Sequence, residues 1–370
     1  MPSIPLPENA SFEHLKKQAK LVQELVASSD SGAFDLIREF HPRFATASEE
    51  ATVGFKRSDA QLVVARLYGF ASWTKLRDQV GLVNAFTRPD PADVDPDDDV
   101  DRLVTLACVS YNGDHDPSAR TELARSMLVA HPDLATASIA AITVSGHHRA
   151  MTELIEQDPK LVNEPCGPNG WPPLLYCCYS RLDSSDPARS TLATAQVLLD
   201  AGADPNAGYL WHGLVPPFTA LTGAFGRGEA DQAPHHDATE LARLLLEAGA
   251  DPNDGQALYN NGLAGTAHDD ASHLQLLVEF GLGTPTDGPW YQRFGTRLTA
   301  PDQLLDDELE VAAHRGLPNR MRFLAELGVD LNRPVGRSRQ TPWQLANAAG
   351  HTAIIDVLIH AGVQGSRPGT

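Results

Sequence analysis

The hexapeptide AGADPN stands at Ala201–Asn206 and again at Ala248–Asn253, behind the leucine-rich runs VLLD and LLLE. A glycine just past such a run suits a left-handed helix exit, since it has no Cβ to clash, and Asp-Pro-Asn suits a turn leading the chain away. The same helix end is thus made twice. Aligning the glycine behind each comparable run gives VLLDAGADPN (Gly202), LLLEAGADPN (Gly249), LLVEFGLGTP (Gly281), FLAELGVDLN (Gly328) and VLIHAGVQG (Gly362), spaced by 47, 32, 47 and 34 residues. Two spacings fit one short period, and the other two exceed it by an insertion. The insertions are GRGEADQAPHHDA, at 226–238, and the region TDGPWYQRFGTRLTAPDQ, at 286–303.

A period of about 33 residues with two helices per unit marks one repeat architecture in particular. The last full unit, QTPWQLANAAGHTAIIDVLIHAG at 340–362, resembles the pattern TPLHxAAxxGHxxxVxxLLxxGA of ankyrin-repeat proteins nearly position for position. Thr341–Pro342 would open its first helix, with the threonine hydroxyl serving freed amides and proline fixing φ. Gly350 would end that helix, and Ala353–Ile359 would form the second, packed through Ile354, Ile355, Val357, Leu358 and Ile359. Related signals are PPLLYCCYS at 172–180 and PPFTALTGAFG at 216–226. Upstream, HPRFATAS at 41–48, HPDLATAS at 131–138 and QDPKLVNEP at 157–165 each follow an apolar run, and GHH at 146–148 matches the family's GH turn.

The resemblance implies an all-α fold, an ankyrin-repeat solenoid of about seven stacked helix-turn-helix units with enlarged fingers and insertions. The array would span 100–365, with divergent units at 100–165 and clearer ones at 166–365. Residues 1–87 read as a helical N-terminal leader, of the kind that precedes ankyrin units in some bacterial proteins. Ser11 would cap its first helix, with Leu15, Ala19, Val22 and Val26 on one face, and a helix pair would turn at Tyr68–Gly69–Phe70. Such a leader suits a polar cap on the array. Between them, RPDPADVDPDDD at 88–99 reads as an acidic, turn-rich connector open to disorder.

At 370 residues and 42% apolar, the chain exceeds one ordinary core, so two domains or a long array are expected. No run of eighteen apolar residues exists and the N-terminus lacks a secretory pattern, so a cytoplasmic protein without membrane association is expected. Net charge is −19, and residues 1–80 balance ten Lys/Arg against ten Asp/Glu, so the excess acid lies beyond. That repels phosphate backbones and excludes nucleic acid as a natural partner. The four cysteines, Cys108, Cys166, Cys177 and Cys178, show no CxxC pair and read as buried free thiols.

In ankyrin arrays the fingers and first helices line the binding face. There this chain concentrates Trp171, Tyr176, Tyr179, Tyr209, Trp211, His212, Trp290, Tyr291, Arg293 and Phe294, residue types that anchor interfaces. The expected function is a non-catalytic scaffold for a basic or amphipathic protein partner. The alternative is enlarged fingers enclosing a small apolar molecule, with His212 and Tyr209 as the acid–base pair if the protein is an enzyme. A third reading makes the rings local packing. Asp204, Asp251 and Asp287 read as turn caps. HHD at 235–237 with Glu229 and Asp231, His147–His148, and DHD at 114–116 lack metal-ligand spacing, adjacent histidines being expected to point apart, so neither metal nor cofactor is expected. No nucleophile or phosphate-loop motif occurs.

Overall fold

The computed structural model describes residues 4, 6–7, 10–46, 54–113, 116–182, 186–229, 231–263 and 266–365. Three sequence features fall partly outside them: Ala47–Ser48 of the first octapeptide, Asp114–His115 of DHD, and Ala230 of the insertion at 226–238. The chain is mostly helical and divides into two compact units, 1–87 with His212–Leu214, and 88–211 with 215–370. Among the described residues no helix is long and apolar enough to cross a membrane.

The first unit holds helices Phe12–Ala27, Ser31–Phe40, Arg57–Leu67 and Trp73–Phe86. Ser11 caps the first of them by accepting the His14 amide, and that helix buries Leu15, Ala19, Val22 and Val26, the face its spacing predicts. Phe34, Ile37, Val63, Val64 and Leu76 complete the core. Gly69, at φ 82°, makes the turn between the last two helices.

In the second unit, helices follow one another in pairs. The first members are Asp99–Ala107, Ile139–Val144, Pro173–Tyr179, Ala220–Phe225, Gly255–Leu263, Pro301–Arg315 and Pro342–Ala349, each packing on the next first member. The second members are Pro117–Ala130, His148–Gln157, Thr191–Asp200, Ala238–Glu247, Ser272–Glu279, Pro318–Glu326 and Thr352–His360. His148–Gln157, Thr191–Asp200, Ala238–Glu247 and Ser272–Glu279 pack in succession. An apolar stripe on an inner helix is therefore covered by the preceding and following members of its row. The glycines that ended the leucine-rich runs all take positive φ: Gly202 at 90°, Gly249 at 101°, Gly281 at 102°, Gly328 at 79° and Gly362 at 84°. Thr341 Oγ1 accepts the Gln344 amide, Gln344 Oε1 accepts the Thr341 amide, and Gly350 closes the helix left-handed. The His-Pro and Asp-Pro segments form short 3-10 turns, Pro42–Phe44, Pro132–Thr136 and Pro159–Val162.

One device joins successive turns. Asn163 Nδ2 donates to the Gly202 carbonyl at 2.9 Å, and the Asp204 amide donates back to Asn163 Oδ1 at 2.9 Å. Asn206 does the same with Gly249 and Asp251, both at 2.9 Å. Asn253 does so with Thr284 at 3.3 Å and Gly283 at 2.9 Å. A side-chain amide has both a donor and an acceptor, so one residue satisfies two backbone groups of the following turn.

The enlarged turns are structured. Gly208–Trp211 pairs antiparallel with Phe218–Thr219, and Trp290 through Phe294 lie on a helix, Pro289–Phe294, where the sequence suggested an extended finger. Nor is the acidic connector loose. Asp98 caps Asp99–Ala107 by accepting the Val100 and Asp101 amides, Asp93 accepts from Asn112 Nδ2, and Asp90 is wholly buried.

Candidate functional site

The aromatic residues singled out from sequence gather, but in the interior. Trp171, Tyr176, Tyr179 and Tyr209 are at most 1% exposed. Trp171 stacks on Tyr209 at 4.9 Å, with Tyr176 at 5.2 Å and Tyr179 at 4.9 Å. Tyr111 and Phe218, which the sequence reading passed over, complete the group; their rings lie 4.9 Å apart and Tyr209 lies 5.7 Å from Phe218. The expectation that these rings face a partner is corrected for those four: they pack on one another, because the hairpin folds Tyr209 inward while Gly223, in Ala220–Phe225, leaves room for Tyr179, whose ring a Cβ there would meet at 2.4 Å.

The polar tips are unevenly satisfied. Tyr176 OH donates to the Cys166 carbonyl and accepts the Asn169 amide, while Tyr179 OH donates to the Thr219 carbonyl. Tyr209 OH, Trp171 Nε1 and both amide atoms of Asn169 are buried without a hydrogen-bond partner. Burial holds the Tyr209 phenol well above its ordinary range, so it stays protonated and is no base near neutrality.

Two carboxylates anchor this core. Asp90 accepts from Ser110 Oγ at 2.5 Å, the Tyr111 amide at 2.6 Å, the Ala92 amide at 2.8 Å and Trp211 Nε1 at 3.1 Å. Asp254 accepts from Thr219 Oγ1 and from the Gln256 and Ala257 amides that open Gly255–Leu263. Burial pushes Asp254 up to about 6 against those bonds. Neither carboxylate stood out in the sequence, where Asp90 read as one acid of the connector and Asp254 was passed over.

Of the remaining candidates, Trp211 borders the cluster, its ring 6.2 Å from that of Phe218, and the others lie apart from it. Trp290 and Phe294 are buried and stack at 5.9 Å, and Trp290 Nε1 donates to the Asn206 carbonyl at 2.9 Å. Tyr291 OH donates to the Thr299 carbonyl at 2.9 Å, and Arg293 lies over the Trp290 ring at 4.9 Å, both half-buried. Trp211 is half-buried, and His212, in the first unit, is half-buried with a positive φ of 49°.

Asp204 and Asp251 serve as turn caps, accepting the Asn206 and Asn253 amides. The cysteines are free, and burial pushes Cys108 and Cys166 up to about 12, which keeps them as thiols.

His235, His236 and Asp237 bring ligand-type atoms within 4.8 Å of one another. Yet His235 is committed: Nε2 bonds Thr191 Oγ1 at 2.8 Å and Nδ1 accepts the Asp237 amide at 3.0 Å. The two imidazoles stack at 4.3 Å instead of pointing apart. Asp231 pairs with Arg227 at 3.2 Å and Glu229 accepts from Tyr259 OH at 2.7 Å, so neither joins them. His147 and His148 open the helix that ends at Gln157, and Asp116 of DHD caps Pro117–Ala130.

What the surface offers is acid. Asp200, Glu247, Glu279 and Glu326 each stand exposed as the last residue of a second helix, and Glu156 is last but one in His148–Gln157. No basic residue occupies the last turn of any of these helices. A helix C-terminus carries the negative end of the backbone dipole, so acids there run against local stability. Glu279 is partly answered by Arg243, which reaches it from the preceding helix at 2.7 Å.

The chain finds no match among models of known families or among curated proteins.

Proposed function

We propose that residues 99–360 are an ankyrin-type array and that it works in the cytoplasm as a non-catalytic scaffold, holding a basic or amphipathic protein segment along the acidic ends of its second helices. The observation that carries this reading is the recurrence of an exposed acid at the end of successive second helices, where electrostatics disfavours it. A residue that repeatedly opposes local stability is serving something else. The turns that follow Gln157, Asp200, Glu247 and Glu279 are braced by the asparagine bridges, so those charges keep a fixed spacing and a partner meets them without ordering them first. The excess of acid beyond residue 80 supplies long-range attraction for a cationic segment.

The test is direct titration with a labelled amphipathic Lys/Leu helical peptide, followed by fluorescence anisotropy. Asp200→Lys, Glu247→Lys and Glu326→Lys combined should weaken binding at least tenfold, and raising salt should weaken the wild type similarly. Equal affinity for wild type and triple variant would remove the acidic edge from the account.

A further inference from the structure

Beyond the ring cluster and the acidic edge, the chain carries a chemically reactive dipeptide. Asn-Gly occurs three times, at Asn112–Gly113, Asn169–Gly170 and Asn261–Gly262. Such a pair can react with itself, because glycine has no side chain to keep its amide nitrogen from the asparagine side-chain carbon. For reaction the fold must leave that nitrogen without a hydrogen-bond partner, give the closing ring room, and admit water.

Two of the pairs are protected. Asn169 is 1% exposed, and the Gly170 amide donates to the Gly167 carbonyl at 3.1 Å. Asn261 is 7% exposed on the helix Gly255–Leu263, where its Nδ2 donates to the Ala257 carbonyl at 2.9 Å. The helical ladder takes the Gly262 amide. The third pair meets every condition. Asn112 is half-buried and Gly113 exposed, and neither lies in a helix or strand. Among the described residues the Gly113 amide has no hydrogen-bond partner, and no atom lies within 4 Å of the place a Cβ would take. Asn112 Nδ2, the nitrogen that would leave, donates to Asp93 Oδ1 at 2.9 Å.

We propose that Asn112–Gly113 is a self-modification site, at which the Gly113 nitrogen displaces the Asn112 side-chain nitrogen and Asp93 stabilises the group that leaves. A bond forms between Gly113 N and Asn112 Cγ, the Cγ–Nδ2 bond breaks, and ammonia departs with the proton of the Gly113 amide. Water then opens the cyclic imide at one carbonyl or the other, leaving aspartate or isoaspartate at 112. Positive charge develops on Nδ2 as it leaves, and the Asp93 carboxylate is already bonded to that atom. The products act on the buried anchor at Asp90. The Asn112 amide donates to Ser110 Oγ at 3.3 Å, and Ser110 Oγ donates to Asp90 at 2.5 Å. Either product sets a carboxylate against Asp93 where a donor stood, and like charges repel. Isoaspartate also adds a carbon to the main chain next to Tyr111. The age of the molecule is thereby coupled to the hold on Asp90.

The test incubates the full chain, folded and in denaturant, and follows the three asparagines by peptide-mapping mass spectrometry with isoaspartate resolved from aspartate. The denatured chain should react at all three. In the folded chain Asn112 should react about tenfold faster, or more, than Asn169 and Asn261. Asp93→Asn should slow reaction at Asn112 about tenfold, with circular dichroism reporting the fold. Gly113→Ala should slow it too and leave the fold intact, since Gly113 holds no positive φ and a Cβ there meets nothing. Asn112→Asp and the aged wild type should both melt below the fresh wild type. Protection of Asn112 equal to that of Asn169 in the folded chain, or a folded Asp93→Asn chain reacting at the wild-type rate, overturns the proposal. An Asn112→Asp chain as stable as the wild type overturns the link to Asp90.

Discussion

The two units are made of similar amphipathic helices but fill their interiors differently. Among the described residues of the first unit, His41 is the one buried side chain of polar or charged type, with Asp59 at 3.3 Å. The second unit buries Asp90, Asp254, Glu308, Arg320, His235 and His273. An apolar core asks only for volume and pattern. A core with buried ionisable groups needs each partner in place, and it ties stability to pH.

The largest expected effect sits at Asp90. Asp90→Asn puts an amide N–H2 among four donors, and denaturant unfolding should show a loss of about 2–4 kcal/mol. Leu15→Ala in the first unit should cost a similar amount for a different reason, a cavity. A cost under about 1 kcal/mol for Asp90→Asn would show that the polar anchor contributes little, and the contrast between the units would weaken.

The pH response sharpens the comparison next. Burial pushes Glu308 up to about 7 and Asp254 up to about 6. Both bind protons more tightly when folded, so their contribution is present at low pH and is lost as pH rises toward those values. His235 and His273 are pushed down to about 2 and 3, so theirs is present above the ordinary histidine range and is lost as pH falls. Glu308→Gln removes one alkaline loss. Relative to wild type, its unfolding free energy should rise by about 2–3 kcal/mol between pH 4 and pH 8. A constant difference across that range would mean that Glu308 titrates normally.

The smallest effect is expected at Tyr209. Tyr209→Phe deletes a hydroxyl without a partner, so stability should be unchanged or up to about 1 kcal/mol higher. A loss above about 2 kcal/mol in thermal or denaturant unfolding would show that the hydroxyl is bonded in solution.

Local rules made the helix ends readable. Gly202, Gly249, Gly281, Gly328 and Gly362 all take the conformation their position behind an apolar run requires, and Thr341, Pro342 and Gly350 bound a helix as their chemistry dictates. The face of Phe12–Ala27 was readable for the same reason, because period and cap lie within one short stretch. The ring cluster was legible only as a composition. Trp171, Tyr176, Tyr179 and Tyr209 stand out in sequence, but their burial depends on a hairpin and on Gly223, features set by distant pairings. Asp90 and Glu308 were illegible. Each lies among other acids; what separates Asp90 from them is a partner far along the chain, and what separates Glu308 is burial that neighbouring helices impose. The asparagine bridges were half-visible: Asn206 and Asn253 belong to the repeated hexapeptide, while their reach into the following turn is a tertiary fact.

One feature bears on how the chain is made. Asp90 is answered by an indole 121 positions later. Translation delivers residues at about 5–20 per second, so roughly 6–24 s separate the two. Throughout that interval Asp90 lacks the Trp211 donor, while Ala92, Ser110 and Tyr111, which supply the others, are made within the next 21 residues. A ribosome-bound chain stopped just short of Trp211 would therefore contain three of the four donors to Asp90 and lack the fourth.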